Sequence, residues 1–590
     1  MDAVRRRDPL LPFAPMALAA VVGAVLLLTR PSAVDSVRAS RQPQARPDDT
    51  QPASVVVKGR RSTRQAAQVP IPKKRYLRDA CKLPPRWIRY IDRGWAPGPI
   101  RSSDIVLVPR PPSYVGTFTN TSHSGPYDFL QRVPLVFYGP GLVAPQGQLS
   151  IDREVTLADL APTHAAMLGF DFGERQGKPI PEVLADAAEP PRLLVTVSID
   201  GGGWNVLNRR PHSWPYLARM IEQGSSIKKA VVGSSPSITP AIHANMSTGY
   251  FPQVHGVTGI AIRNEHAIVG AFSRDGNYSG VPVEPRLNLR SETLADKWDA
   301  ANGNRAKAAL VASGNYPLGL LGHGASLRKG DKDIALIGEP SGDWTTDRRF
   351  YSMPRWAATI TGRNRDRVRM DRADGAADGR WRGHDVSTIQ AGYTPADAAL
   401  VARTATTLLD EEGFGKDSIA DLLYVHFKSP DHVGHRWNMN SKEMGDVLTS
   451  VDDGLKTLVT WLDANIGYGG YLLTVTADHG QTPLGQKGWA IDRAELRDDV
   501  RERFDRVDDD LGLIEQSSAT SLFLSTEEMR ANGVSPEEIS SFLSRYRIGD
   551  NLPDGVSAPP AFDNRLNRRL FSAVFPGRSL PLITRCAEAG

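Results

Sequence analysis

The sequence predicts an α/β fold with a mostly parallel central sheet that helices cover on both faces. Between residues 193 and 476, short apolar runs typical of buried strands alternate with longer stretches of helical periodicity. Such alternation is typical of parallel sheets, in which a helix connects each strand to the next. Acidic residues directly follow several of these strands, and ligands of such sheets bind at the carboxyl ends of the strands.

The predicted elements are read from hydrophobic periodicity and from flanking Gly and Pro. Strands are predicted at 104–108, 133–138, 193–199, 230–232, 308–311, 422–426 and 471–476. Helices are predicted at 156–168, 216–223, 293–301, 397–411 and 444–464. Residues 340–395, rich in Arg, Asp and Gly, are interpreted as an inserted loop or cap.

The composition is typical of a globular enzyme rather than of a nucleic-acid-binding protein. The chain has 590 residues, of which 23% are charged and 40% hydrophobic, both ordinary values. The net charge of +5 is small for this length. Since much of the basic excess lies in the first hundred residues, it indicates a basic tail on a neutral body, and no nucleic-acid partner is expected.

Residues 1–30 are interpreted as a membrane anchor. An arginine triplet at 5–7 precedes an uncharged stretch from Leu10 to Thr29, and ~20 apolar residues suffice to cross a bilayer. Positive residues ahead of the stretch favour a cytoplasmic N-terminus and an exported body. A cleaved signal peptide is the alternative, although Pro31-Ser-Ala33 is a poor cleavage site.

Residues 31–75, rich in Arg, Gln, Pro, Ser and Ala, are expected to form a flexible linker. A single folded domain is expected from 76 to 590. The chain contains two cysteines, Cys81 and Cys586. Because an exported compartment permits disulfides, one bridge between them is an alternative to two unpaired buried thiols.

Three short motifs place carboxylates and imidazoles directly after predicted strands. The motifs are Asp200 after 193–199, Asp431-His-Val-Gly-His435 after 422–426, and Asp478-His479-Gly480 after 471–476. Carboxylate oxygens and imidazole nitrogens bind divalent cations such as zinc, and several of them at strand ends suit a two-metal hydrolase. The alternatives are a helix cap with a surface histidine at 478–479 and a solvated turn at 431–435.

Taken together, the motifs resemble the alkaline phosphatase superfamily and, within it, the type I phosphodiesterase/nucleotide pyrophosphatase group. The motifs that carry the resemblance are Ser198-Ile-Asp200-Gly201-Gly202, Pro236-Ser-Ile-Thr239-Pro-Ala-Ile-His243, Ser247-Thr-Gly249-Tyr-Phe-Pro252-Gln-Val-His255-Gly256, Pro430-Asp431-His-Val-Gly434-His435 and Thr476-Ala-Asp478-His479-Gly480. The resemblance covers about residues 80–590. It implies an alkaline phosphatase-like fold and a hydrolase of small-molecule phosphoesters that uses two zinc ions or another divalent metal, and the N-terminal residues predict that this hydrolase is exported.

The resemblance also assigns roles to individual residues. Asp200, Asp478 and His479 would hold one zinc ion, and Asp431 and His435 would hold the second. Thr239 would be the nucleophile and would also contact the first zinc ion, which lowers the pKa of its hydroxyl. Read without the family, Thr239 is an N-cap residue ahead of a helix in which Pro240 occupies the first turn.

The second zinc ion requires one more histidine, which relatives carry near the C-terminus, whereas this chain has no histidine after His479. The segment around His123, from Thr119 to Gly141, resembles the late segment of the family that carries this ligand. The following residues resemble the closing helix and tail of the family. We therefore expect a circular permutation, in which 76–185 is the last part of the fold and 192–590 the remainder. His123 would then be a zinc ligand, and a Cys81–Cys586 bridge would join the new chain ends.

Two departures from the family bear on the substrate. Ile260 stands where many relatives have an asparagine that steadies a phosphoryl oxygen, and losing such a donor costs about 2.7–4 kcal/mol of barrier. A Lys/Arg pair that some monoesterases use is not identified, which favours phosphodiesters. The alternatives are a phosphomonoesterase and a catalytically weak, metal-binding surface protein. A sulfatase is disfavoured because its Cys/Ser-x-Pro-x-Arg signature is missing around Thr239.

The other histidines and the glycines after Asp200 are expected to have lesser roles. His243 and His255 are expected to be structural. Gly201-Gly-Gly203 could cradle phosphate, or could allow close backbone approach beside a metal-binding Asp200. The remaining histidines are expected to be hydrogen-bonded or solvated, namely His164, His212, His266, His323, His384, His426 and His432.

Overall fold

Buried strands and amphipathic helices alternate through most of the chain. The computed structural model describes residues 72–97, 101–116, 121–185, 189–264, 267–273, 284–339, 342–360, 363–483, 488–507, 509 and 511–588. The strands are β1 (Ile105–Pro109), β2 (Tyr114–Val115), β3 (Leu135–Tyr138), β4 (Gly147–Leu149), β5 (Leu193–Ile199), β6 (Ser225–Ile227), β7 (Ala261–Asn264), β8 (Ala267–Gly270), β9 (Ala308–Ala312), β10 (Ile334–Gly338), β11 (Trp344–Thr345), β12 (Arg380–Trp381), β13 (His384–Asp385), β14 (Asp421–Phe427), β15 (Tyr471–Thr476), β16 (Ala490–Ile491), β17 (Ile514–Ser518), β18 (Ser521–Leu524) and β19 (Phe571–Pro576).

The helices range from single turns to a helix of more than six turns. They are α1 (Arg75–Cys81), α2 (Pro85–Gly94), α3 (Asp128–Gln131), α4 (Leu160–Met167), α5 (Trp204–Leu207), α6 (Pro215–Gln223), α7 (Thr239–Thr248), α8 (Pro252–His255), α9 (Pro285–Asn288), α10 (Leu294–Ala301), α11 (Leu318–Leu321), α12 (Arg363–Asp371), α13 (Pro395–Glu411), α14 (Ser429–Trp437), α15 (Lys442–Asn465), α16 (Arg493–Phe504), α17 (Thr526–Ala531), α18 (Pro536–Leu543) and α19 (Leu580–Glu588).

A nine-stranded mixed sheet forms the centre of the fold, in the order β11-β10-β9-β14-β5-β15-β3-β6-β4. The five strands from β10 to β15 in that order run parallel to one another, and β3 pairs antiparallel with β15. Each parallel strand is an apolar run buried along its length, as expected for a sheet covered on both faces. The predicted mostly parallel sheet is therefore confirmed.

Alternate residues of the central strands enter two separate hydrophobic cores. Leu194 and Leu422 pack with helices α4, α7, α10 and α11 on one face of the sheet. Leu193 and Leu423 pack with helices α6, α13 and α15 on the other face. Because successive side chains of a strand point to opposite faces, each strand contributes to both cores and fixes the helices on both sides.

A second, antiparallel sheet was not anticipated from the sequence. Its four strands have the order β17-β18-β1-β19, so the predicted strand at 104–108 lies here and not in the central sheet. The inner residues of this sheet pack with helices α16 and α18. Its strands come from both ends of the described chain, and local periodicity gives no signal for pairing over such a distance.

One predicted strand differs in the structure. The predicted strand at 230–232 is wrong, since the strand lies at Ser225–Ile227 and Val231 makes only isolated bridges. The run Ala230-Val-Val232 is apolar because it is buried in the core, not because it pairs as a strand. Residues 342–360 and 363–395 carry short elements, including α12 and the hairpin β12–β13, so this predicted loop or cap has regular structure of its own.

The proposed membrane anchor at 1–30 and most of the linker at 31–75 lie outside the described residues. Within the described ranges, no helix is both long and apolar enough to span a bilayer.

A disulfide joins the first and last helices of the described chain. Cys81 at the end of α1 bonds Cys586 in α19, with 5.6 Å between the Cα atoms and a sequence separation of 505. Both helices pack on β19 and on each other through a common apolar cluster. The bridge therefore fixes two distant parts of the chain on one edge of the second sheet.

We expect this bridge to contribute about 2–5 kcal/mol to the free energy of unfolding, because it restricts the unfolded chain. Replacing Cys81 and Cys586 together with Ala should lower the melting temperature, and so should reducing the wild-type protein. Dithiothreitol should leave the melting temperature of the double variant unchanged, which controls for effects of the reductant. Free thiols at both positions in oxidised protein, shown by peptide mapping, would contradict the bridge.

Candidate metal centre and nucleophile

The site is built at the carboxyl ends of three adjacent parallel strands. Strands β14, β5 and β15 are in register, with Phe427 opposite Ile199 and Thr476 opposite Ser198. Because the strands end at the same level, the residues that follow them meet at one edge of the sheet. These residues include Asp200 after β5, Asp431 after β14, and Asp478 with His479 after β15.

Helix α14 directs two of the site residues to one side. It begins at Ser429 with Pro430 in the first turn, which suits a helix start. Asp431 and His435 are four residues apart, so their side chains share one helix face. Gly434 is required at this point, because a Cβ atom there would lie 2.0 Å from the Gln481 side chain.

Thr239 is the first residue of helix α7, and its side chain is buried. The helix N-cap is Ile238, so the expectation that Thr239 itself caps the helix is wrong. The Thr239 hydroxyl instead donates a hydrogen bond to Asp200 Oδ2 at 3.3 Å. The side chain that the family motif singled out is therefore turned toward the acidic residues.

The first cluster contains Asp200, Asp478 and His479, all fully buried. His479 Nε2 lies 3.3 Å from Asp200 Oδ1 and 3.4 Å from Asp478 Oδ2. Among the described residues none of these three atoms has a hydrogen-bond partner. Buried polar atoms in native proteins almost always have one, so two carboxylate oxygens beside an unpartnered ring nitrogen indicate a ligand-binding position.

The second cluster contains Asp431, His435 and His123. Asp431 Oδ1 lies 3.3 Å from His435 Nε2 and 3.5 Å from His123 Nε2. This carboxylate oxygen is buried and also lacks a hydrogen-bond partner within the described ranges. His123, which lies more than 300 residues before Asp431 in the chain, thus reaches the position required by the permutation hypothesis.

The two clusters are in direct contact. The rings of His123 and His479 stack with centroids 3.6 Å apart and planes 4° apart. One ligand atom each from Asp200, Asp431 and His479 lie within 4.8 Å of one another. The arrangement therefore offers two neighbouring cation positions.

The backbone sets the tautomers of the three histidines. The Nδ1 atom of His123 donates to the carbonyl of Ser237 at 2.9 Å. The Nδ1 atom of His435 donates to the carbonyl of Thr121 at 2.7 Å, and that of His479 to the carbonyl of Gly480 at 3.0 Å. A carbonyl only accepts, so Nδ1 carries a proton in each ring, and Nε2 is the nitrogen that faces the cluster. Such support fixes the orientation of metal-binding imidazoles.

The carboxylates are held in the same way at their outer oxygens. The Gly201 backbone N–H donates to Asp478 Oδ1 at 3.0 Å, from a positive φ of 68° that favours glycine. The Lys428 ammonium donates to Asp200 Oδ2 at 2.8 Å and to Asp431 Oδ2 at 2.7 Å. The inner oxygens are the ones left without partners.

Charges in the site shift several pKa values. Burial acts to raise the pKa of Asp200, but Lys428 and the neighbouring histidines hold it well below its usual range. Burial and the Asp200 carboxylate together raise the pKa of Asp478 to about 7. Burial acts to lower the pKa of His479, but Asp478 and Asp200 raise it to about 9. The excess of buried negative charge at the inner oxygens thus attracts a positive charge.

The donor set fits divalent transition metals, because each cluster combines carboxylate oxygen with imidazole nitrogen. The inner atoms lack hydrogen-bond partners among the described residues, whereas the protein holds the outer atoms. The residues present therefore fit two zinc-type cations.

Sequence reasoning missed Lys428 and assigned no role to His426. His426 Nε2 lies 2.9 Å from Asp200 Oδ2, and both side chains are fully buried. The available signal was a histidine and a lysine at the end of an apolar strand, which required a buried acidic partner. His243 and His255 are structural as expected, bonding Ser198 Oγ and Asn245 Oδ1 respectively.

Ile260 is half-buried and packs against the apolar core. Its side chain has no hydrogen-bond donor for a phosphoryl oxygen. The histidines without an assigned role include His164, which bonds Thr474 Oγ1, and His323, which bonds Asp296 Oδ2. His266 lies outside the described residues.

The profile of the family described as "Type I phosphodiesterase / nucleotide pyrophosphatase" matches residues 194–540, more than half of the chain. This range contains all the site residues except His123. Curated relatives are also similar to the chain at low identity. A protein named calcium-transporting ATPase from Myroides odoratus is 23% identical over 417 residues, which covers 60% of this chain and 73% of that protein.

Two curated alkaline phosphatases are similar over about half of the chain. PhoV from Synechococcus elongatus is 23% identical, covering 52% of this chain and 62% of PhoV. PafA from Elizabethkingia meningoseptica is 24% identical, covering 50% of this chain and 61% of PafA. The matches thus span less than two thirds of either phosphatase.

The crystal structure of wild-type alkaline phosphatase PafA has a similar fold. It superposes with a TM-score of 0.50 at 17% identity, covering 66% of this chain and 85% of PafA. The alkaline phosphatase-like fold predicted from the sequence is therefore confirmed.

Replacing Lys428 with Met should destabilise the protein, because two buried carboxylates would lose their shared counter-ion. Breaking such a buried pair costs about 3–5 kcal/mol, measurable as a lower melting temperature. We expect a larger loss in chelator than in zinc, since bound cations would partly replace the missing charge. The exposed Lys456, changed to Met, is the matched control. A Lys428→Met variant that melts like wild type in chelator would contradict this role.

Proposed function

We propose that this protein hydrolyses phosphodiester or pyrophosphate bonds of small molecules. The chain belongs to the type I phosphodiesterase/nucleotide pyrophosphatase family of the alkaline phosphatase superfamily. Thr239 is the nucleophile in this proposal. Two divalent cations, which we take to be zinc, bind the two clusters. The observation that supports this most strongly is the convergence of buried, unpartnered ligand atoms beside the Thr239 hydroxyl.

Each cluster would bind one of the two cations, as the family resemblance implies. Asp200, Asp478 and His479 would hold the first, with Thr239 beside them. Asp431, His435 and His123 would hold the second. Cations bound in this way would lower the pKa of the Thr239 hydroxyl and stabilise negative charge on the leaving oxygen.

The reaction proceeds by two displacements at phosphorus. The Thr239 hydroxyl proton passes to solvent, and Oγ1 forms a bond to phosphorus while the bond to the leaving oxygen breaks. The leaving oxygen takes up a proton from solvent, and a phosphothreonine remains. Water then gives up a proton to solvent and attacks phosphorus while the bond to Oγ1 breaks, and Oγ1 takes up a proton from solvent. Most of the acceleration comes from holding nucleophile and phosphoryl group together in line.

Asp200 orients the nucleophile and is a poor base. Thr239 donates its hydrogen bond to Asp200 Oδ2, which also accepts from Lys428 and His426. The pKa of Asp200 is held well below its usual range, so its carboxylate has little affinity for the proton. The shared acceptor oxygen therefore keeps Oγ1 pointing toward the clusters.

Helix α7 supports negative charge at the nucleophile. Thr239 is its first residue, and the first-turn N–H groups of a helix are not used inside the helix. Together with the helix dipole, they favour an anion at that end. The alkoxide and the phosphoryl oxygens would lie there.

Diesters are favoured over monoesters by the placement of Lys428. This ammonium forms ion pairs with Asp200 and Asp431, so its charge neutralises these carboxylates and does not bind the additional oxygen of a phosphomonoester. Phosphomonoester hydrolysis is the second candidate, because the names of two similar proteins describe alkaline phosphatases. Ile260 is compatible with a slow enzyme, and a metal-binding protein without turnover is the remaining alternative.

The proposal includes a circularly permuted chain, with 76–185 in the place of a C-terminal segment and 192–590 as the remainder of one domain. Three observations support it: β3 pairs with β15 at the centre of the sheet, His123 reaches Asp431, and Cys81 bonds Cys586. We also propose an exported body, since the disulfide requires oxidising conditions. Residues 1–30 would anchor it to the membrane, or act as a signal if cleaved.

The decisive test of function is turnover of bis(p-nitrophenyl) phosphate against p-nitrophenyl phosphate, with zinc present. We expect the diester to have the higher kcat/KM. Thr239→Ala should reduce turnover by more than about a thousandfold, since nucleophile deletions have effects of this size or greater. Thr248→Ala, at the other end of the same helix, is a matched control. Equal turnover by Thr239→Ala and wild type would refute the nucleophile, and no turnover by wild type would favour a binding protein.

The role of His123 is tested separately by metal content. His123→Ala should bind one zinc ion per chain tightly and the second much more weakly, because one of three protein ligands is lost. Elemental analysis after dialysis measures the ratio, and the exposed His212, changed to Ala, serves as the control. Two tightly bound zinc ions in His123→Ala would contradict both the ligand role and the permuted arrangement.

A further inference from the structure

A second group of acidic residues lies at the other end of the parallel strands of the central sheet from the catalytic candidates. Asp299 belongs to the last turn of α10, and Asp331 and Asp333 lie in the segment that enters β10. Strand β10 pairs parallel with β9, starting at Ile334 opposite Ala309. The group therefore lies at the amino ends of the parallel strands, whereas the catalytic candidates follow the carboxyl ends.

The three carboxylates are close together and two of them are buried. One oxygen from each lies within 4.8 Å of the others. Asp299 is 6% exposed and Asp333 9% exposed, whereas Asp331 is open to solvent. Asp299 Oδ1 is shielded from solvent and has no hydrogen-bond partner in the described part of the chain. A buried carboxylate oxygen without a partner is costly, so this atom indicates a missing ligand.

The charges that act on the buried carboxylate of Asp333 are acidic. They come from Asp296, Asp299 and Asp331. The last turn of α10 contains no basic residue, and its carbonyl groups add negative potential at that end. Burial and the neighbouring carboxylates raise the pKa of Asp299 to about 7 and that of Asp333 well above its usual value.

Asp296, the nearest further acid, is already engaged. Its Oδ2 accepts from Thr293 and from His323 Nδ1, and its Oδ1 accepts from the His323 backbone N–H. Although burial acts to lower the pKa of His323, Asp296 raises it, so this pair neutralises itself. Arg328 and Lys329 line the same groove as the other three acids, but within the described ranges neither forms an ion pair with Asp299, Asp331 or Asp333.

We propose that Asp299, Asp331 and Asp333 form a calcium-binding site that ties the end of α10 to the start of β10. Carboxylate oxygens are the donors that Ca²⁺ prefers, whereas the catalytic clusters combine oxygen with nitrogen. The three acids line an open groove of about 520 Å³ that also includes Gly303 and Asn304. The groove has room for the waters that complete a coordination shell of six to eight oxygens.

Calcium favours this site over magnesium because the group is irregular. Its donors come from a helix end and an extended segment, and one of them is exposed. Magnesium requires a nearly ideal octahedron and gives up water reluctantly, whereas calcium accepts irregular arrangements. With three carboxylates and an open side, we expect a Kd of about 10⁻⁴–10⁻³ M, the range of extracellular calcium modules.

The test uses the full-length, zinc-loaded protein at pH 8 and CaCl₂ as the probe. Isothermal titration should show one calcium ion bound per chain, and 5 mM CaCl₂ should raise the melting temperature. Asp331→Asn should weaken calcium binding at least tenfold while leaving phosphoester hydrolysis unchanged. It is the preferred variant because its side chain is exposed and the fold should tolerate it. Asp498→Asn, an exposed acid elsewhere on the surface, should bind calcium like wild type.

Three results would overturn the proposal. Wild-type affinity in Asp331→Asn would show that calcium binds elsewhere. An equal melting shift at lower MgCl₂ concentrations would contradict the assignment to calcium. Absence of calcium binding at pH 8, with a melting temperature that rises as the pH falls to 6, would show that protons alone neutralise the group. None of these readouts depends on turnover, so they stand apart from the proposed hydrolysis.

Discussion

The candidate metal centre depends on side chains that each bond the protein through one polar atom and turn a second polar atom inward. Each carboxylate has one oxygen held by the protein and one turned inward without a partner, as in Asp478 and Asp431. Each of the three imidazoles gives its Nδ1 proton to a backbone carbonyl and turns Nε2 inward. Buried polar groups normally find partners, so this pattern is unfavourable unless cations occupy the centre. The fold supports the outer atoms and leaves the inner atoms to the ligand.

This arrangement follows from the in-register ends of three parallel strands. Strands β14, β5 and β15 bring Asp431, Asp200 and Asp478 to one edge, although up to 278 positions separate these residues in the sequence. The helices that follow then set the fine geometry. Gly434 allows α14 to approach Gln481, and Gly201 adopts a positive φ so that its N–H reaches Asp478. Residues without a functional group are thus as necessary to the centre as the ligands.

The sequence predicted the central strands well because they are apolar along their length and bounded by clear breaks, as in 193–199 and 471–476. It also identified the acids and histidines that meet there, because family motifs surround them. It failed where the determining contacts are distant. The strand at 105–109 pairs with strands near the other end of the chain, and 230–232 is apolar only because it is buried. For Lys428 the sequence shows only a lysine at the end of an apolar strand, since its acidic partners meet it only when β14 lies beside β5.

The central claim is that two cations share this centre, and zinc-edge anomalous diffraction from crystals of the zinc-loaded protein tests it most directly. Two anomalous peaks are expected, one in contact with Asp200, Asp478 and His479, and the other in contact with Asp431, His435 and His123. A single peak, or two peaks neither of which contacts His123, would contradict the account. The inward orientation of the three Nε2 atoms would then need another explanation.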